Sequence, residues 1–148
     1  MFLIDTNIIS VTAPGRARHA QTVADWLDVN STTIYLSVIT IGEVEQGISR
    51  LRRNGAHQRA ADLMEWQHSV ISIYGDRVLP IDIAGALRLG RLSDHARGAG
   101  LAAEYPDLII AATASVHGLT VLTRNIRHFD GLGISVHNPY DTLPGDTP

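Results

Sequence analysis

The first residues of the chain place a carboxylate directly after a short apolar run. Phe2–Ile4 is apolar, which predicts a buried strand, and Asp5 follows it directly. Thr6 and Asn7 belong, like aspartate, to the residue types that commonly begin helices, so we expect a change from strand to helix here. Ligands of open α/β sheets bind at the carboxyl ends of the strands, which is where Asp5 is expected to lie. Because a carboxylate at such a place needs a hydrogen bond, an ion pair or a cation, we predict that Asp5 is a metal ligand.

The composition indicates one globular domain without thiol chemistry. The chain has 148 residues, of which 45% are hydrophobic and 18% charged, and it contains no cysteine. Disulfides, thiolate nucleophiles and thiolate zinc sites are therefore excluded. No apolar run approaches the ~18 residues of a membrane span, and the first residues lack the basic segment of a signal peptide. We therefore expect a cytoplasmic protein that does not bind a membrane.

The basic residues are all of one type. The formal net charge is -3, and all 12 basic residues are arginine. A negative net charge does not predict nucleic-acid binding, whereas arginine suits bidentate contacts with phosphate. Codon bias is the simpler explanation for the missing lysine, so composition alone does not predict a partner.

Strand and helix patterns alternate along the chain. Thr33–Val38 is rich in β-forming residues and predicts a second strand. Thr40 is expected to cap a helix over Ile41–Arg53, with Glu43 at the capping-box position. That helix and the next, Ala56–Tyr74, are predicted to form a helical hairpin. The other predicted helices are His19–Asn30, Ile83–Ala96 and one opened by Tyr105-Pro106-Asp107, and the other predicted strands are Thr120–Thr123 and Ile134–Val136. Val78–Ile81 is predicted to be a short strand or an extended link, since Pro80 cannot occupy a central ladder position.

This alternation predicts an α/β protein. Its sheet is expected to be mostly parallel and covered by helices on both faces. Residues 1–137 are predicted to form the domain. Residues 138–148 are rich in proline, glycine, aspartate and threonine and are predicted to form a short flexible tail.

Four polar side chains are predicted at the C-terminal edge of this sheet. Asp5 follows the first strand and Asn125 follows the strand Thr120–Thr123, while Glu43 and Asp107 each lie in the first turn of a predicted helix. Converging carboxylates repel one another unless a cation balances them. Oxygen ligands without histidine or cysteine favour Mg²⁺ or Mn²⁺ over Zn²⁺, and such a cation assists phosphodiester hydrolysis.

Each of these residues alone also fits a structural role. Asp5 can cap a helix, Glu43 can complete a capping box, and Asp107 can favour the positive end of its helix. Asn125 is a common turn residue. The prediction of a metal site therefore depends on the four residues together.

Four short blocks that contain these residues resemble the motifs of PIN-domain ribonucleases, most closely those of the VapC and FitB toxins of bacterial toxin–antitoxin pairs. The blocks occur in family order and span nearly the whole chain: Leu3–Asn7, Ser37–Val44, Asp107–Ala114, and Leu122–Asn125 with Phe129. The resemblance implies a three-layer α/β/α PIN-like domain. It also implies Mg²⁺- or Mn²⁺-dependent hydrolysis of RNA by a metal-activated water, a homodimer, and inhibition by a cognate antitoxin.

The resemblance also implies roles for individual residues. Asp5, Glu43 and Asp107 match the family's three acidic, metal-binding positions. Thr6 matches a small hydroxyl residue that orients Asp5 or a water molecule. Asn125 stands where the family often has aspartate, and because an amide is a weaker ligand, the number of metal ions stays open.

Several basic residues near these blocks are candidates for RNA contact. Arg124 and Arg127 flank the fourth block, whereas His128 is interpreted as a surface residue. The arginines at the end of a predicted helix either complement its dipole or bind RNA; they are Arg50, Arg52 and Arg53.

Two other functions fit part of the pattern. A phosphatase with an aspartyl nucleophile at Asp5 commonly has a second aspartate at the position of Asn7, and this chain has no lysine to balance a phospho-enzyme. The alternative is a non-catalytic PIN-like module that only binds a partner or nucleic acid, which Asn125 keeps open.

Overall fold

The computed structural model describes residues 1–15 and 20–145, which contain a five-stranded sheet. The strands are β1 (Phe2–Ile4), β2 (Ile34–Ser37), β3 (Val78–Leu79), β4 (Thr120–Leu122) and β5 (Val136–His137). Their order is β3-β2-β1-β4-β5, and every pair of neighbours is parallel. The strand that leads into Asp5 therefore lies in the middle of the sheet. The predicted parallel α/β sheet is confirmed.

Seven α-helices in the described residues cover both faces of the sheet. They are α1 (Thr6–Ile9), α2 (Gln21–Val29), α3 (Val38–Arg53), α4 (His57–Tyr74), α5 (Ile83–Ala99), α6 (Tyr105–His117) and α7 (Ile126–Phe129). Successive residues of a strand point to opposite faces. Leu3 accordingly packs in a cluster with α5 and α6, whereas Ile4 packs with residues of α1, α2 and α4. These three layers confirm the α/β/α arrangement.

Helices α3 and α4 form the predicted helical hairpin. Asn54 ends α3, and Gly55 turns the chain with a φ of +80°, a conformation that glycine adopts readily. Val70 and Tyr74 at the end of α4 join the core beside β1 and β2. Residues of the hairpin, Glu43 among them, line cavities at the C-terminal edge of the sheet, where the site lies.

Helix α6 is deeply buried, as its apolar sequence predicts. All residues from Leu108 to Ala114 are buried, and burial of each large apolar side chain contributes roughly 1.5–3 kcal/mol. Pro106 lies in the first turn, and the helix ends at Gly118, which has a φ of +62°. This packing fixes the helix end that carries Asp107. No helix in the described residues, α6 included, is long and apolar enough to cross a membrane.

The start of α3 differs from the prediction. The helix begins at Val38, and Ser37 caps it by accepting a hydrogen bond from the Ile39 backbone N–H at 3.3 Å. Thr40 is instead buried within the first turn, and Glu43 lies in the second turn. The predicted capping box is therefore wrong, because the strand ends earlier and its last polar residue takes the cap. Val38 and Ile39 are β-branched, which made them part of the predicted strand.

Other boundaries also differ. Helix α5 runs to Ala99 rather than Ala96, because Gly98 is accommodated within it and Gly100, at a φ of +65°, ends it. Strand β5 is Val136–His137 rather than Ile134–Val136. The predicted helix from His19 to Asn30 is observed as Gln21–Val29, and His19 lies outside the described residues.

The segment that follows β5 contacts the domain as far as the structure describes it. Tyr140 and Leu143 pack against the core cluster that contains Ile4, and the Trp26 indole donates a hydrogen bond to the Pro144 carbonyl at 3.2 Å. Residues 146–148 lie outside the described part. The division into a domain over 1–137 and a flexible tail over 138–148 stays a prediction.

Candidate active site

One cleft lies where the C-terminal ends of β1 and β4 meet the N-terminal end of α6. Its volume is about 360 Å³. All five residues predicted for the site line it, together with the acidic Glu104 and His128; the five are Asp5, Thr6, Glu43, Asp107 and Asn125. The fold therefore brings together side chains that are up to 120 positions apart in the sequence.

Asp5 is held in place by three hydrogen bonds to its carboxylate. Only 5% of the residue is exposed. The Thr6 backbone N–H donates to Oδ1 at 2.6 Å, so Asp5 does cap α1. The Asn7 amide and the Thr123 hydroxyl each donate to Oδ2 at 2.6 Å. The capping role predicted as an alternative is thus observed, and the carboxylate is also fixed towards the cleft.

Asn7 and Thr123 connect the ends of β1 and β4. The Asn7 amide also donates to Thr123 Oγ1 at 3.1 Å, and its carbonyl oxygen accepts from the Arg124 backbone N–H at 3.2 Å. Thr123 Oγ1 accepts in turn from the Asn125 backbone N–H at 2.9 Å. This network holds the loop that carries Asn125 against Asp5.

Glu43 reaches the cleft from α3. Its position in the second turn leaves the helix cap to Ser37, so Glu43 is not needed for capping. Its Oε2 accepts a hydrogen bond from the Thr6 hydroxyl. Thr6 therefore links the helix after β1 to the helix after β2 on the floor of the cleft.

Asp107 reaches the cleft from the N-terminal turn of α6. Its Oδ2 accepts from the Glu104 backbone N–H at 2.9 Å, which satisfies a helix-end donor. The same oxygen lies 3.1 Å from His128 Nδ1, and the two side chains are only 13% and 18% exposed, respectively. The interpretation of His128 as a surface residue is wrong, because α7 turns its imidazole onto Asp107.

The surroundings of Asp5 and Glu43 disfavour the ionised forms of their carboxyl groups. Burial is the largest cause that raises the pKa of Asp5 above its ordinary value; the charge of Asp107 raises it as well, while the hydrogen bonds that Asp5 accepts lower it. Burial also raises the pKa of Glu43, to which the charges of Asp5, Asp107 and Glu104 add. A bound cation would offset both effects, since it stabilises the ionised forms.

The donor atoms of the cleft suit a hard divalent cation. Glu43 and Asp107 each accept hydrogen bonds from the described residues through one oxygen only, which leaves Oε1 and Oδ1 available. Among residues 1–15 and 20–145, no three His, Cys, Asp or Glu side chains form a ready-made metal-binding cluster. Mg²⁺ usually keeps several waters and needs only one or two direct carboxylate ligands. The cleft therefore fits Mg²⁺ or Mn²⁺ better than Zn²⁺.

The model of the PIN domain family matches residues 2–133. The chain belongs to the PIN-domain family. The resemblance carried by the four sequence blocks is confirmed.

The relatives of this PIN domain are toxins and related proteins. It is 35% identical over 142 residues to the plasmid stability protein StbB of Pseudomonas syringae pv. tomato and 33% identical over 145 residues to toxin FitB of Neisseria gonorrhoeae. It is 30% identical over 142 residues to the VapC ribonuclease Y4jK of Sinorhizobium fredii. Each alignment covers 95% of this chain and 99% of the relative. The chain is thus a PIN domain of the VapC and FitB type.

Solved structures show the same fold. The structure of FitAcB from Neisseria gonorrhoeae matches with a TM-score of 0.80 and 32% identity, over 95% of this chain and 99% of that chain. A toxin–antitoxin complex from Klebsiella pneumoniae matches with a TM-score of 0.62 and 27% identity, over 95% of this chain and 98% of that one.

The arginines predicted near the site of this PIN domain differ in their surroundings. Arg124 lines the cleft, and its guanidinium lies 5.4 Å from the centre of the Tyr140 ring. Arg50 lines a neighbouring cavity, whereas Arg52 contacts the Met64 sulfur at 2.9 Å. Arg50 and Arg52, both at the end of α3, are thus not equivalent.

The residues that support the acidic side chains were not among those predicted from the sequence. Thr123 and Asn7 lie inside the motif blocks, but their contact with Asp5 depends on the pairing of β1 with β4. Glu104 lies three residues before Asp107, a helix-capping spacing that was a usable signal. His128 carried no such signal, because its orientation depends on how α7 packs.

Proposed function

We propose that this PIN domain is the toxin of a toxin–antitoxin pair and acts as a Mg²⁺- or Mn²⁺-dependent endoribonuclease. The observation that carries this proposal is the meeting of Asp5, Glu43 and Asp107, from three separate elements, in one cleft. A binding module has no need of a buried and a half-buried carboxylate that both have raised pKa values. The name of the ribonuclease relative supports the same function.

The residues of the cleft have distinct roles in this function. Asp5, Glu43 and Asp107 would hold the cation, which when bound lowers the pKa of water and offsets charge on the phosphoryl oxygens. The Thr6 hydroxyl, donated to Glu43, fixes the orientation of that carboxylate. The Asn125 side chain lines the cleft and supplies amide donors to a phosphate oxygen.

An antitoxin and a second copy of the chain are the proposed protein partners. The Klebsiella relative was solved as a toxin–antitoxin complex. Three apolar side chains in the first turns of α5 and just before it are exposed: Ile81 (36%), Ile83 (82%) and Leu87 (60%). Because Ile83 and Leu87 are four residues apart, they share one helix face, which suits a protein interface.

RNA cleavage by the purified protein tests the proposed function. A mixed RNA substrate is incubated with the parent, with Asp5→Asn and with Asp94→Asn, in EDTA, Mg²⁺ and Mn²⁺. Asp94 is an exposed carboxylate on α5 and serves as the matched control. Cleavage is expected with either cation in the parent and in Asp94→Asn, and it should be lost in EDTA and in Asp5→Asn.

Two results would contradict this function. Equal cleavage by the parent and Asp5→Asn would identify a contaminating nuclease. Absence of cleavage by the antitoxin-free parent, together with unimpaired growth of cells that express it, would favour the non-catalytic binding module.

A further inference from the structure

A second cavity opens directly beside the acidic cleft. Its volume is about 580 Å³, and it lies between α1 and the α3–α4 hairpin. We call it the hairpin groove; its walls include Glu43, Gly47, Arg50, Arg59, Leu63 and Trp66. Thr6, Ser10 and Glu43 line both the groove and the acidic cleft. A chain bound in the cleft can therefore continue into the groove without leaving the surface.

One face of α3 runs from the acidic cleft into the groove. Glu43, Gly47 and Arg50 are spaced by four and then three residues, which places them in line on that face. Seven residues of α-helix rise by ~10.5 Å. Arg50 thus lies two turns beyond the acidic site, at the place that the neighbouring part of a bound strand would reach.

The groove carries positive charge that the described residues leave unpaired. Arg50 and Arg59 are exposed, and the single ion pair in the described part of the chain is that of His128 with Asp107. Arg52, on another face of α3, contacts Met64 instead. The guanidinium group of arginine can donate two parallel hydrogen bonds to the oxygens of one phosphate. The groove is therefore complementary to a strand that carries negative charge.

Part of the groove wall is apolar. Leu63 and Trp66 contribute it from α4. The Trp66 indole donates to Thr12 Oγ1 at 3.0 Å, which fixes the orientation of the ring. Single-stranded nucleic acid combines charged phosphates with flat apolar bases, and sequence-tolerant sites for it pair basic side chains with such surfaces.

Gly47 keeps the middle of the groove open. A Cβ atom built at this position meets no atom within 4 Å, so the glycine borders free space rather than a packed neighbour. Glycine destabilises a helix interior relative to alanine. A glycine on the face between Glu43 and Arg50 is explained if a bound strand occupies the space next to it.

We propose, on the basis of the ribonuclease function proposed above, that the hairpin groove binds the single-stranded RNA next to the bond that is cleaved. Arg50 and Arg59 contact its phosphates, and Gly47 leaves room for the strand. RNA is favoured over an acidic protein segment because the groove is continuous with the cleft in which a phosphodiester is cleaved, and because its two arginines follow that cleft along the direction of α3.

The affinity of the protein for a fluorescently labelled, unstructured RNA tests this role of the hairpin groove without depending on cleavage. Fluorescence anisotropy is recorded at several salt concentrations in EDTA. Arg50→Gln/Arg59→Gln is expected to weaken binding about tenfold and to reduce the salt slope by about 1.4, since each contact to a single strand contributes ~0.7. Gly47→Leu should also weaken binding by filling the groove, while its thermal midpoint is at least that of the parent.

Matched controls lie outside the groove. Arg52→Gln removes a neighbouring charge from α3, and Gly90→Leu places the same side chain at an open glycine in the interior of α5. Both should bind RNA as the parent does. In the presence of Mn²⁺, the groove variants should show a raised KM for long RNA with little change in kcat.

The possible results distinguish failure of the groove proposal from failure of the proposed ribonuclease function. If the parent cleaves RNA while the groove variants bind and cleave like the controls, the groove proposal is overturned and the ribonuclease stands. If the groove variants keep RNA binding but lose binding of polyglutamate, the groove is a protein-docking site. If the parent neither binds nor cleaves RNA, both proposals fail.

Discussion

The Thr123 hydroxyl donates a 2.6 Å hydrogen bond to Asp5 Oδ2 across two parallel strands, 118 residues apart in sequence. Thr123 is fully buried. Its oxygen also accepts hydrogen bonds from the Asn7 amide and the Asn125 backbone, so one hydroxyl joins three parts of the site. This relationship explains how a buried carboxylate is held in a fixed orientation before any cation binds.

Thr123→Val is therefore expected to damage both stability and activity. Valine keeps the shape but leaves the Asn125 N–H without a partner and removes one of the two hydrogen bonds to Asp5 Oδ2, a loss of about 1–3 kcal/mol in the free energy of unfolding. RNA cleavage should fall about tenfold or more as Asp5 loses its orientation. Urea unfolding and initial cleavage rates measure the two effects.

Thr123→Ser is the control for that change. It keeps the hydroxyl and removes one methyl group, which costs about 0.8 kcal/mol, so activity should stay near that of the parent. Equal activity of the serine and valine variants would show that the hydrogen bond to Asp5 has no catalytic importance.

Glu43→Gln should stabilise the metal-free protein at pH 7. The pKa of Glu43 is raised in the folded state, so ionisation costs folding stability as the pH rises above the ordinary value of 4.5. Glutamine removes this penalty and its Oε1 can still accept from Thr6. The gain is expected to be less than about 1 kcal/mol, because the side chain is only half buried and solvent screens it.

The difference in stability between the parent and Glu43→Gln should disappear in acid and reverse when metal is bound. Below pH 4.5 the protonated glutamate carries no penalty, so the difference between the two melting temperatures in EDTA should close. With saturating Mg²⁺ the parent should become the more stable protein, because binding to the folded state adds stability. A parent that is more stable than Glu43→Gln in EDTA at pH 7 would contradict the raised pKa.

His128→Ala should weaken the affinity of the site for its metal ion rather than lower its maximum rate. The imidazole lies 3.1 Å from Asp107, and loss of a group that orients a metal-binding carboxylate typically costs about 10–100-fold in metal affinity. The Mn²⁺ concentration for half-maximal cleavage should therefore rise by about tenfold or more. His128→Asn, which places an amide donor near the position of Nδ1, should retain most of the affinity, and identical metal titrations for all three proteins would refute this role.

Ser37 and Thr40 provide a paired test of where α3 begins. Ser37→Ala removes the cap and should destabilise the protein by about 1 kcal/mol. Thr40 is buried, and its hydroxyl has no hydrogen-bond partner in the described residues. Thr40→Val should therefore be neutral or stabilising in thermal unfolding. A larger loss of stability for Thr40→Val than for Ser37→Ala would support Thr40, the predicted residue, as the cap of α3.

Several elements were predictable because their patterns are local. The apolar run over Leu108–Ala114 predicts a buried helix, and Asn54-Gly55 predicts the turn of the hairpin, since each pattern depends on near neighbours only. The cap of α3 was not predictable in this way. Ser37 and Thr40 are both capping types, and the choice depends on where β2 leaves the sheet.

The sequence by itself determined the parallel α/β fold, the buried helix behind Asp107 and the edge of the sheet at which the acidic residues meet. Only the tertiary structure decided which groups support those residues. Strand β1 pairs with β4 in the register that sets Ile4 beside Leu122, and this places Thr123 next to Asp5. Periodicity reports which face of an element is buried, whereas register and packing decide which distant side chains touch, and hydrogen bonds act only over such short distances.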